Sequence, residues 1–404
     1  MTNIRYLILP IITTLLIWGL NTRMGSLPPI GKFLDPFHGY LSLVGTDDLN
    51  RLKLDVMGLK APVTIQFDQL RIPHIFAENE PDLYFAQGYV MAFERLWQME
   101  FQTHAAGGRL SEIVGEKALG YDRFQRRIGM VHGAKNALGV LEKDALFPNL
   151  LAFTDGINAF IESLSLDDYP LEYKIMDYAP EPWTPLKTCL LLKYMAWMLT
   201  GRSTDLAYTR IMNDFGLDVL DELYPLFPRD FDPVIPRGTP FDFQSPKLNV
   251  PNSIYKTNAD TTDILIKQLE GIGSNNWAVA GSRTKSGKAI LANDPHLGLN
   301  LPSIWYAMQL NCPTMNVMGV ALPGAPGIIM GFNDHISWGY TNGYDDVMDW
   351  YDIQFRDEQK DEYWYNNGWK YTTKVIEEIK IRGGHSFLDT VTYTHHGPVV
   401  WDKM

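Results

Sequence analysis

The chain has 404 residues, which is enough for a large core and for two or three domains. Hydrophobic residues make up 46% and aromatic residues 12%, a composition typical of globular proteins. The formal net charge of −12 makes non-specific binding to nucleic acid unfavourable, because two anionic surfaces would repel each other.

An uncharged apolar run opens the chain, from Tyr6 to Leu20 between Arg5 and Arg23. It is short for a membrane span, which needs about 20 residues, and matches the apolar part of a signal peptide. No clear cleavage site follows. We therefore predict that residues 1–23 are a signal peptide or an N-terminal membrane anchor of an exported, periplasmic or outward-facing protein. The alternative is a buried helix.

The first half reads as largely helical. Residues 24–60 are rich in proline and glycine and predict an extended lead-in. The stretch APVTIQFDQLRIPHIFAEN alternates apolar and polar residues and predicts one strand at the start of a helical region, residues 61–232. Apolar residues then recur at helical spacing up to the Gly107-Gly108 pair, where a long helix should end.

A polar connector, residues 233–273, separates this region from a second one of different character, residues 274–404. Short β-like runs such as NNWAVAG, KAILAN and HISWGYTNG follow one another between Gly, Pro and Asn. Residues 281–289 (GSRTKSGKA) have the wrong spacing for a phosphate-binding loop and predict a hairpin turn. The fold class is therefore α+β.

The Gly273-Ser274 junction is where connector passes into strand. A serine nucleophile needs a base, and a free α-amine with a pKa of about 7.7–8.0 can supply one. Ser274 has no free amine unless the chain is cut before it. Gly273 would give the backbone the freedom that attack of the hydroxyl on the preceding carbonyl requires. Taken alone, a Gly-Ser pair in a loop has no such meaning.

Three sequence blocks, in a consistent order along the chain, favour the interpretation of the junction as a cleavage site. The stretch GSNNWAVAGSRTKSGKAILANDPHLG resembles the start of the second chain in the penicillin acylase family of N-terminal-nucleophile hydrolases. The blocks GIIMGFNDHISWGYTNGYDDVMDWYD and RIPHIFAEN through GGRLSEIVG are similar to further family segments in the same order. The resemblance implies a four-layer αββα sandwich, with a helical first chain wrapped on a β-rich second chain.

The resemblance also implies roles for individual residues. Ser274 would be the nucleophile, with its own α-amine as base, after autocleavage between Gly273 and Ser274. His296 matches a position that orients the nucleophile and its amine. The backbone N–H of Asn342 would hold the oxyanion, so the asparagine side chain there is no obstacle.

The acyl group should enter an apolar pocket, and the resemblance places its lining on both halves of the chain. On the helical side Met198-Leu199 stands where the penicillin G branch has an Arg-Phe pair, which also suits an aliphatic acyl group. The expected lining residues are Met195, Met198, Leu199, Leu297, Ile329 and Met330.

A calcium site is implied by the acidic run DDVMD. Its ligands would be the carboxylates of Asp346 and Asp349, the carbonyl oxygen of Met348, and Asp205 from the first chain, because Ca²⁺ prefers hard oxygen ligands. A solvated acidic turn is the alternative. No organic cofactor is expected.

These inferences predict an amidohydrolase that cleaves the acyl side-chain amide of penicillin-like or other N-acyl substrates. Its partners would be a small-molecule amide and its own processed chains, without nucleic acid. The alternatives are an acyl-homoserine-lactone or other aliphatic amide acylase and an acylase-like binding scaffold that never matures. The family's side-chain oxyanion asparagine and a further calcium ligand are expected beyond Met404, in a chain that is C-terminally incomplete.

Overall fold

The computed structural model describes residues 2–24, 28–35, 39–40, 53–200, 204–225, 238–240, 273–343 and 348–401. Its contacts divide the chain into two compact units. One comprises Met1–Met195, Gly271–Asn342 and Thr373–Met404, and the other Ala196–Glu270 and Gly343–Thr372.

The helices of the described ranges lie almost entirely before the predicted connector. They are α1 (Thr2–Asn21), α2 (Gly31–Leu34), α3 (Glu80–Ala106), α4 (Ser111–Val114), α5 (Leu119–Arg127), α6 (Met130–Leu141), α7 (Phe147–Ser163), α8 (Leu171–Met176), α9 (Pro185–Thr200), α10 (Thr204–Phe215) and α11 (Leu217–Leu223).

The strands lie mostly after the connector. They are β1 (Thr64–Phe67), β2 (Pro73–Phe76), β3 (Gly273–Val279), β4 (Ile290–His296), β5 (Tyr306–Cys312), β6 (Met315–Ala321), β7 (Met330–Asn333), β8 (Ser337–Trp338), β9 (Glu362–Tyr365), β10 (Gly368–Tyr371), β11 (Thr373–Ile379), β12 (Phe387–Thr394) and β13 (Gly397–Pro398). The predicted α+β class is confirmed, and the four-layer arrangement stays a prediction.

Helices α3 and α7 form the centre of the first unit's core. The side chain of Asn79 caps α3 by accepting a hydrogen bond from the backbone N–H of Asp82 at 3.0 Å. The helix ends before Gly107, as predicted. Gly88 and Gly156 lie where the two helices cross, and a Cβ on either would collide with the facing helix backbone. The helices can therefore approach closely only because both positions are glycine.

A six-stranded sheet, ordered β1-β2-β5-β6-β7-β8, joins the two halves of the chain. Strand β2 pairs in parallel with β5, so that Ile75 lies opposite Leu310. Both side chains are fully buried in the core cluster that also contains Met91 and Phe153. Residues before and after the predicted connector therefore share one sheet and one core.

The prediction of one strand near residue 64 is wrong, because the segment folds into the β1–β2 hairpin. The carboxylate of Asp68 accepts hydrogen bonds from the backbone N–H groups of Leu70, at 2.8 Å, and Ile72, at 2.9 Å. Arg71 adopts a φ of 60°, a left-handed conformation more usual for glycine or asparagine. The turn contains Asp68 but no glycine, and apolar residues continue on both sides of it, so the sequence resembles one strand.

Two further β elements belong to the first unit. Strands β3 and β4 form an antiparallel hairpin whose turn contains residues 281–289, as predicted. Strands β11, β12 and β13 form a three-stranded sheet. In the second unit, α10 packs on α11 and β9 pairs with β10, where Trp364 meets Trp369 edge to face.

The N-terminal run is helical, as α1, and several of its large apolar side chains are exposed, including Leu9, Leu15 and Trp18. Within the described residues, no helix combines the length and the apolar character that crossing a bilayer requires.

Candidate active site

Ser274 is the second residue of β3, directly after Gly273. The Ser274 hydroxyl donates a hydrogen bond of 2.6 Å to the carbonyl oxygen of Gly273. The nucleophile predicted from the sequence therefore contacts the carbonyl group of the bond that it is predicted to break. Both residues are half-buried.

The pairing of β3 with β4 sorts the neighbouring side chains onto two faces. Ser274 lies opposite Pro295 and Gly273 opposite His296. Because successive residues of a strand point to opposite faces and directly paired residues share a face, Ser274 and His296 are on opposite faces of the hairpin.

His296 lies on the face away from the Ser274 hydroxyl. Its Nε2 is 2.8 Å from a carboxylate oxygen of Asp294, and both side chains are exposed. The structure therefore does not bring the His296 ring to the nucleophile, and only the backbone of His296 lies opposite the cleavage position. The orienting role of His296 stays a prediction.

Two asparagines on the Ser274 face bind the segment that leads to Asn342. Asn276 Nδ2 donates a hydrogen bond of 2.9 Å to the carbonyl oxygen of Gly339. Asn293 Nδ2 donates one of 3.0 Å to the carbonyl oxygen of Tyr340, whose N–H donates one of 3.0 Å to Asn293 Oδ1. Neither asparagine was predicted as a site residue, although both lie in the quoted motifs.

The same segment is joined to the predicted acyl pocket through β8. Trp338 Nε1 donates a hydrogen bond of 3.0 Å to the carbonyl oxygen of Ile329. The β7–β8 turn is closed by Asn333, whose side-chain oxygen accepts from the N–H groups of His335 and Ile336. The block GFNDHISW therefore forms a compact hairpin beside residues 339–342.

Two of the predicted pocket residues meet in one apolar cluster of the first unit. Met195 and Ile329 are both partly buried against Leu191, Leu322 and Ala325.

The remaining predicted pocket residues have different environments. Met330 is buried in β7 opposite Val320, and Leu297 is half-buried just after β4. Met198 is exposed and Leu199 half-buried at the end of α9, in the second unit.

Three of the four predicted calcium ligands lie among the described residues. Asp346 lies outside the described residues. Asp205 is in the first turn of α10, and Met348 and Asp349 lie in an irregular segment of the second unit. The donor types suit a hard cation, and the ligand set stays a prediction.

A different cluster of acids and histidine, absent from the predictions, combines two residues of α3 with one from the segment between α8 and α9. Within the described ranges, Glu100, His104 and Glu181 are the group whose possible ligand atoms lie within 4.8 Å of one another. Cations already neutralise it: Arg109 makes two hydrogen bonds to Glu181, and Lys187 Nζ is 3.4 Å from the same carboxylate.

The pKa values in this cluster follow from burial and from these ion pairs. Burial raises the pKa of Glu100 and lowers that of His104. Hydrogen bonds from Arg109 hold the pKa of Glu181 at about 2. We interpret the cluster as a partly buried ionic network that anchors Glu181 to α3, because the Glu181 N–H donates to the Glu100 carboxylate at 3.1 Å and Arg109 and Lys187 pair with the Glu181 carboxylate.

Several known proteins are similar in sequence to this chain. The chain is 31% identical over 358 residues to an acyl-homoserine lactone acylase, QuiP, of Pseudomonas aeruginosa, covering 85% of this chain and 41% of that protein. It is 31% identical over 364 residues to the penicillin acylase 2 proenzyme of Pseudomonas sp. strain SE83, covering 86% and 44%. The penicillin G acylase of Escherichia coli is 24% identical over 390 residues, covering 84% and 45%.

Among solved structures, a thermostable penicillin G acylase from Alcaligenes faecalis matches 43% of this chain and 97% of the compared chain, with 23% identity and a TM-score of 0.38. The chain spans about two-fifths of the length of the curated relatives, 41% to 45%.

These findings place the chain among the N-terminal-nucleophile hydrolases. Within that class it belongs to the penicillin amidase family, whose sequence profile matches residues 62–404. The resemblance stated from the motifs is thereby confirmed.

Proposed function

We propose that this chain belongs to an amidohydrolase that cleaves N-acyl amides through Ser274, after a cut before that residue exposes its α-amine. The observation that carries the proposal is the 2.6 Å hydrogen bond from the Ser274 hydroxyl to the carbonyl oxygen of Gly273. This hydrogen bond links the two residues between which the proposed cut falls. Both residues lie inside the region that matches the family.

The cut is an acyl shift followed by hydrolysis. Ser274 Oγ attacks the carbonyl carbon of Gly273, the C–N bond breaks, and the nitrogen takes up the hydroxyl proton to become the free amine. Water then hydrolyses the resulting ester, which leaves a carboxylate on Gly273 and restores the Ser274 hydroxyl. The observed hydrogen bond supports the first step because it keeps Ser274 Oγ beside the carbonyl group that it attacks.

Catalysis repeats the same chemistry on a substrate. The α-amine accepts the hydroxyl proton of Ser274, Oγ attacks the substrate amide carbon, and the backbone N–H of Asn342 donates to the oxyanion. The proton passes to the departing amine, which leaves an acyl ester on Ser274. Water, deprotonated by the α-amine, then releases the carboxylic acid.

The acyl group would lie against the apolar cluster of Met195 and Ile329. Penicillin-like side chains and aliphatic acyl chains both suit such a surface. An acyl-homoserine lactone acylase and a penicillin acylase are equally similar to this chain, at 31% identity. Turnover of a straight-chain N-acyl-homoserine lactone against a phenylacetyl amide separates the two candidates.

Three further features belong to the same proposal. Ca²⁺ bound by Asp205, Asp346, Met348 and Asp349 would have a structural role. The chains before and after the cut would remain associated as a heterodimer. Helix α1 would direct export, as a signal peptide or an anchor, so that the enzyme works outside the cytoplasm.

The test is the N-terminus of the mature second chain in the complete natural protein. Intact mass and N-terminal sequencing should find a chain that begins at Ser274. Ser274→Ala should remain a single chain without amidase activity, while Ser286→Ala, which removes an exposed hydroxyl in the β3–β4 turn, should be cut normally. A wild-type protein without a chain beginning at Ser274 would leave the non-maturing binding scaffold as the better explanation.

A further inference from the structure

Asn293 and Asn276 lie on the same face of the β3–β4 hairpin as Ser274. They pair with each other across the two strands, two residues along from the Ser274–Pro295 pair. The alternation of side chains therefore points both amides to the side of the hairpin that carries the nucleophile.

Asn293 binds Tyr340 as a neighbouring strand would. Its side-chain amide both donates to the Tyr340 carbonyl oxygen and accepts from the Tyr340 N–H, each at 3.0 Å. The second N–H of the same amide donates to the Asn275 carbonyl oxygen at 3.3 Å, which holds the side chain against β3. Asparagine can make this set of contacts because it carries two donors and an acceptor.

Gly339 allows this close approach. A Cβ at that position would lie 2.5 Å from Asn293 Oδ1 and 2.6 Å from its Cβ and Cγ. Asn276 adds the hydrogen bond to the Gly339 carbonyl oxygen. Two side chains on one face thus bind two consecutive backbone units of the segment that follows β8.

That segment carries the oxyanion donor of the proposed function. Asn342 follows Tyr340 by two residues, a span of at most about 7 Å of extended chain. A shift of the Tyr340 backbone is therefore transmitted to the Asn342 N–H with little slack between them.

We propose that Asn293, with Asn276 beside it, is a positioning residue that holds residues 339–342 so that the Asn342 N–H faces the oxyanion formed at Ser274. The inference rests on the proposed function. Asn293 acts through the backbone of Tyr340 and makes no contact with substrate in this account.

The experiment compares Asn293→Ala and Asn276→Ala with the wild type in the complete, mature protein. The substrates are phenylacetyl and hexanoyl 4-nitroanilides, and kcat, KM and Tm are measured for each variant. Loss of an oxyanion donor reduces kcat by about 10²–10³-fold, so a displaced donor should reduce it by about 10–100-fold in Asn293→Ala. KM should change less than threefold, because acyl binding does not use this segment.

Asn276→Ala tests the inference in a variant that should still fold, because it removes only one exposed hydrogen bond. We expect its kcat to fall by about threefold to tenfold at unchanged Tm. Asn136→Ala on the exposed face of α6 is the matched amide deletion and should behave as wild type. The inference is overturned if kcat of both variants stays within twofold of wild type. It is also overturned if Asn293→Ala lowers Tm and Asn276→Ala keeps full kcat.

These outcomes differ from a failure of the proposed function. That failure shows in the wild type, as the absence of a chain beginning at Ser274 or of any amide hydrolysis. The positioning inference fails only against an active, processed wild type.

Discussion

Arg127 of α5 and Asp389 of β12 form a bidentate ion pair, with Nη2 at 2.6 Å from Oδ1 and Nε at 2.8 Å from Oδ2. Both residues are buried, and Arg123 adds a third hydrogen bond to the same carboxylate at 3.2 Å. The pair joins a helix before the proposed cut to a strand after it. It is therefore part of what would keep the two processed chains together.

Replacing Arg127 with methionine should destabilise the protein by about 3–5 kcal/mol, because it leaves the Asp389 carboxylate buried with only Arg123 as a partner. Urea unfolding at neutral pH measures the free-energy change. The control is Arg71→Met, which breaks the exposed pair with Glu94 and should cost at most about 1 kcal/mol.

The matched double variant Arg127→Met, Asp389→Leu should recover much of the lost stability, since it removes the unpaired charge as well. Equal stability of Arg127→Met and Arg71→Met would show that the buried pair does not couple α5 to β12.

Glu100 should make the protein less stable as pH rises. Burial raises its pKa above the ordinary value of 4.5, although Lys187 and the hydroxyl of Tyr173 act in the opposite direction. A carboxyl with a raised pKa in the folded state contributes stability that is present below pH 4.5 and is lost as pH rises through the folded-state pKa. Glu100→Gln should therefore raise Tm relative to wild type above that window and not below it.

The contribution of Glu181 to stability changes with pH in the opposite direction to that of Glu100. Its pKa of about 2, set first by the hydrogen bonds from Arg109, contributes stability above pH 4.5 that is lost as pH falls towards 2. Thermal melts from pH 3 to 8 of wild type, Glu100→Gln, Glu181→Gln and the exposed control Glu142→Gln separate the two effects. A Glu100→Gln curve parallel to wild type throughout would contradict the interpretation.

Two helical glycines should respond in opposite ways to alanine: Gly156 lies at the crossing of α3 and α7, and Gly139 lies in α6. Gly156→Ala places a Cβ against the backbone carbonyl of Phe85 and should cost about 3 kcal/mol, because the helices must separate. Gly139→Ala in α6 has open space around the new methyl and should stabilise the protein by about 0.5–1 kcal/mol. Chemical denaturation of the two variants should therefore move the midpoint in opposite directions.

The sequence predicted individual helices and strands, because neighbouring residues largely determine them. The helical spacing before Gly107 predicted α3, because this periodicity reflects the burial of one face, and the short β-like runs bounded by Gly, Pro and Asn predicted β3 and β4. The β1–β2 turn was missed because Asp68 and Arg71 close it without glycine.

Pairings distant in the sequence were not predictable. Arg127 and Asp389 are 262 residues apart, and nothing in either neighbourhood encodes the other. Ser274 was found through its motif, whereas Asn293 gained meaning only when the hairpin register placed it on the Ser274 face. The sequence around a strand asparagine does not indicate which backbone groups its side chain will bind. That becomes known only when the neighbouring segment is placed.

The acyl pocket gives the last prediction. Met195 and Ile329 are partly buried on one apolar cluster, and Ile329 is tied to Trp338 through its carbonyl oxygen. If this surface receives the acyl chain, Ile329→Phe should fill part of it and shorten the chain that fits. We expect kcat/KM for a dodecanoyl amide to fall about 10-fold or more relative to an acetyl amide.

Leu192→Phe is the matched control, because Leu192 is 43% exposed on α9 and an added ring there meets solvent. Its ratio of dodecanoyl to acetyl turnover should equal that of wild type. An unchanged ratio in Ile329→Phe as well, in a variant with normal Tm and a chain beginning at Ser274, would place the acyl site elsewhere. A changed ratio would mean that the Ile329 side chain borders the acyl group, at a position that the hydrogen bond from its N–H to the Val320 carbonyl oxygen fixes at 2.9 Å.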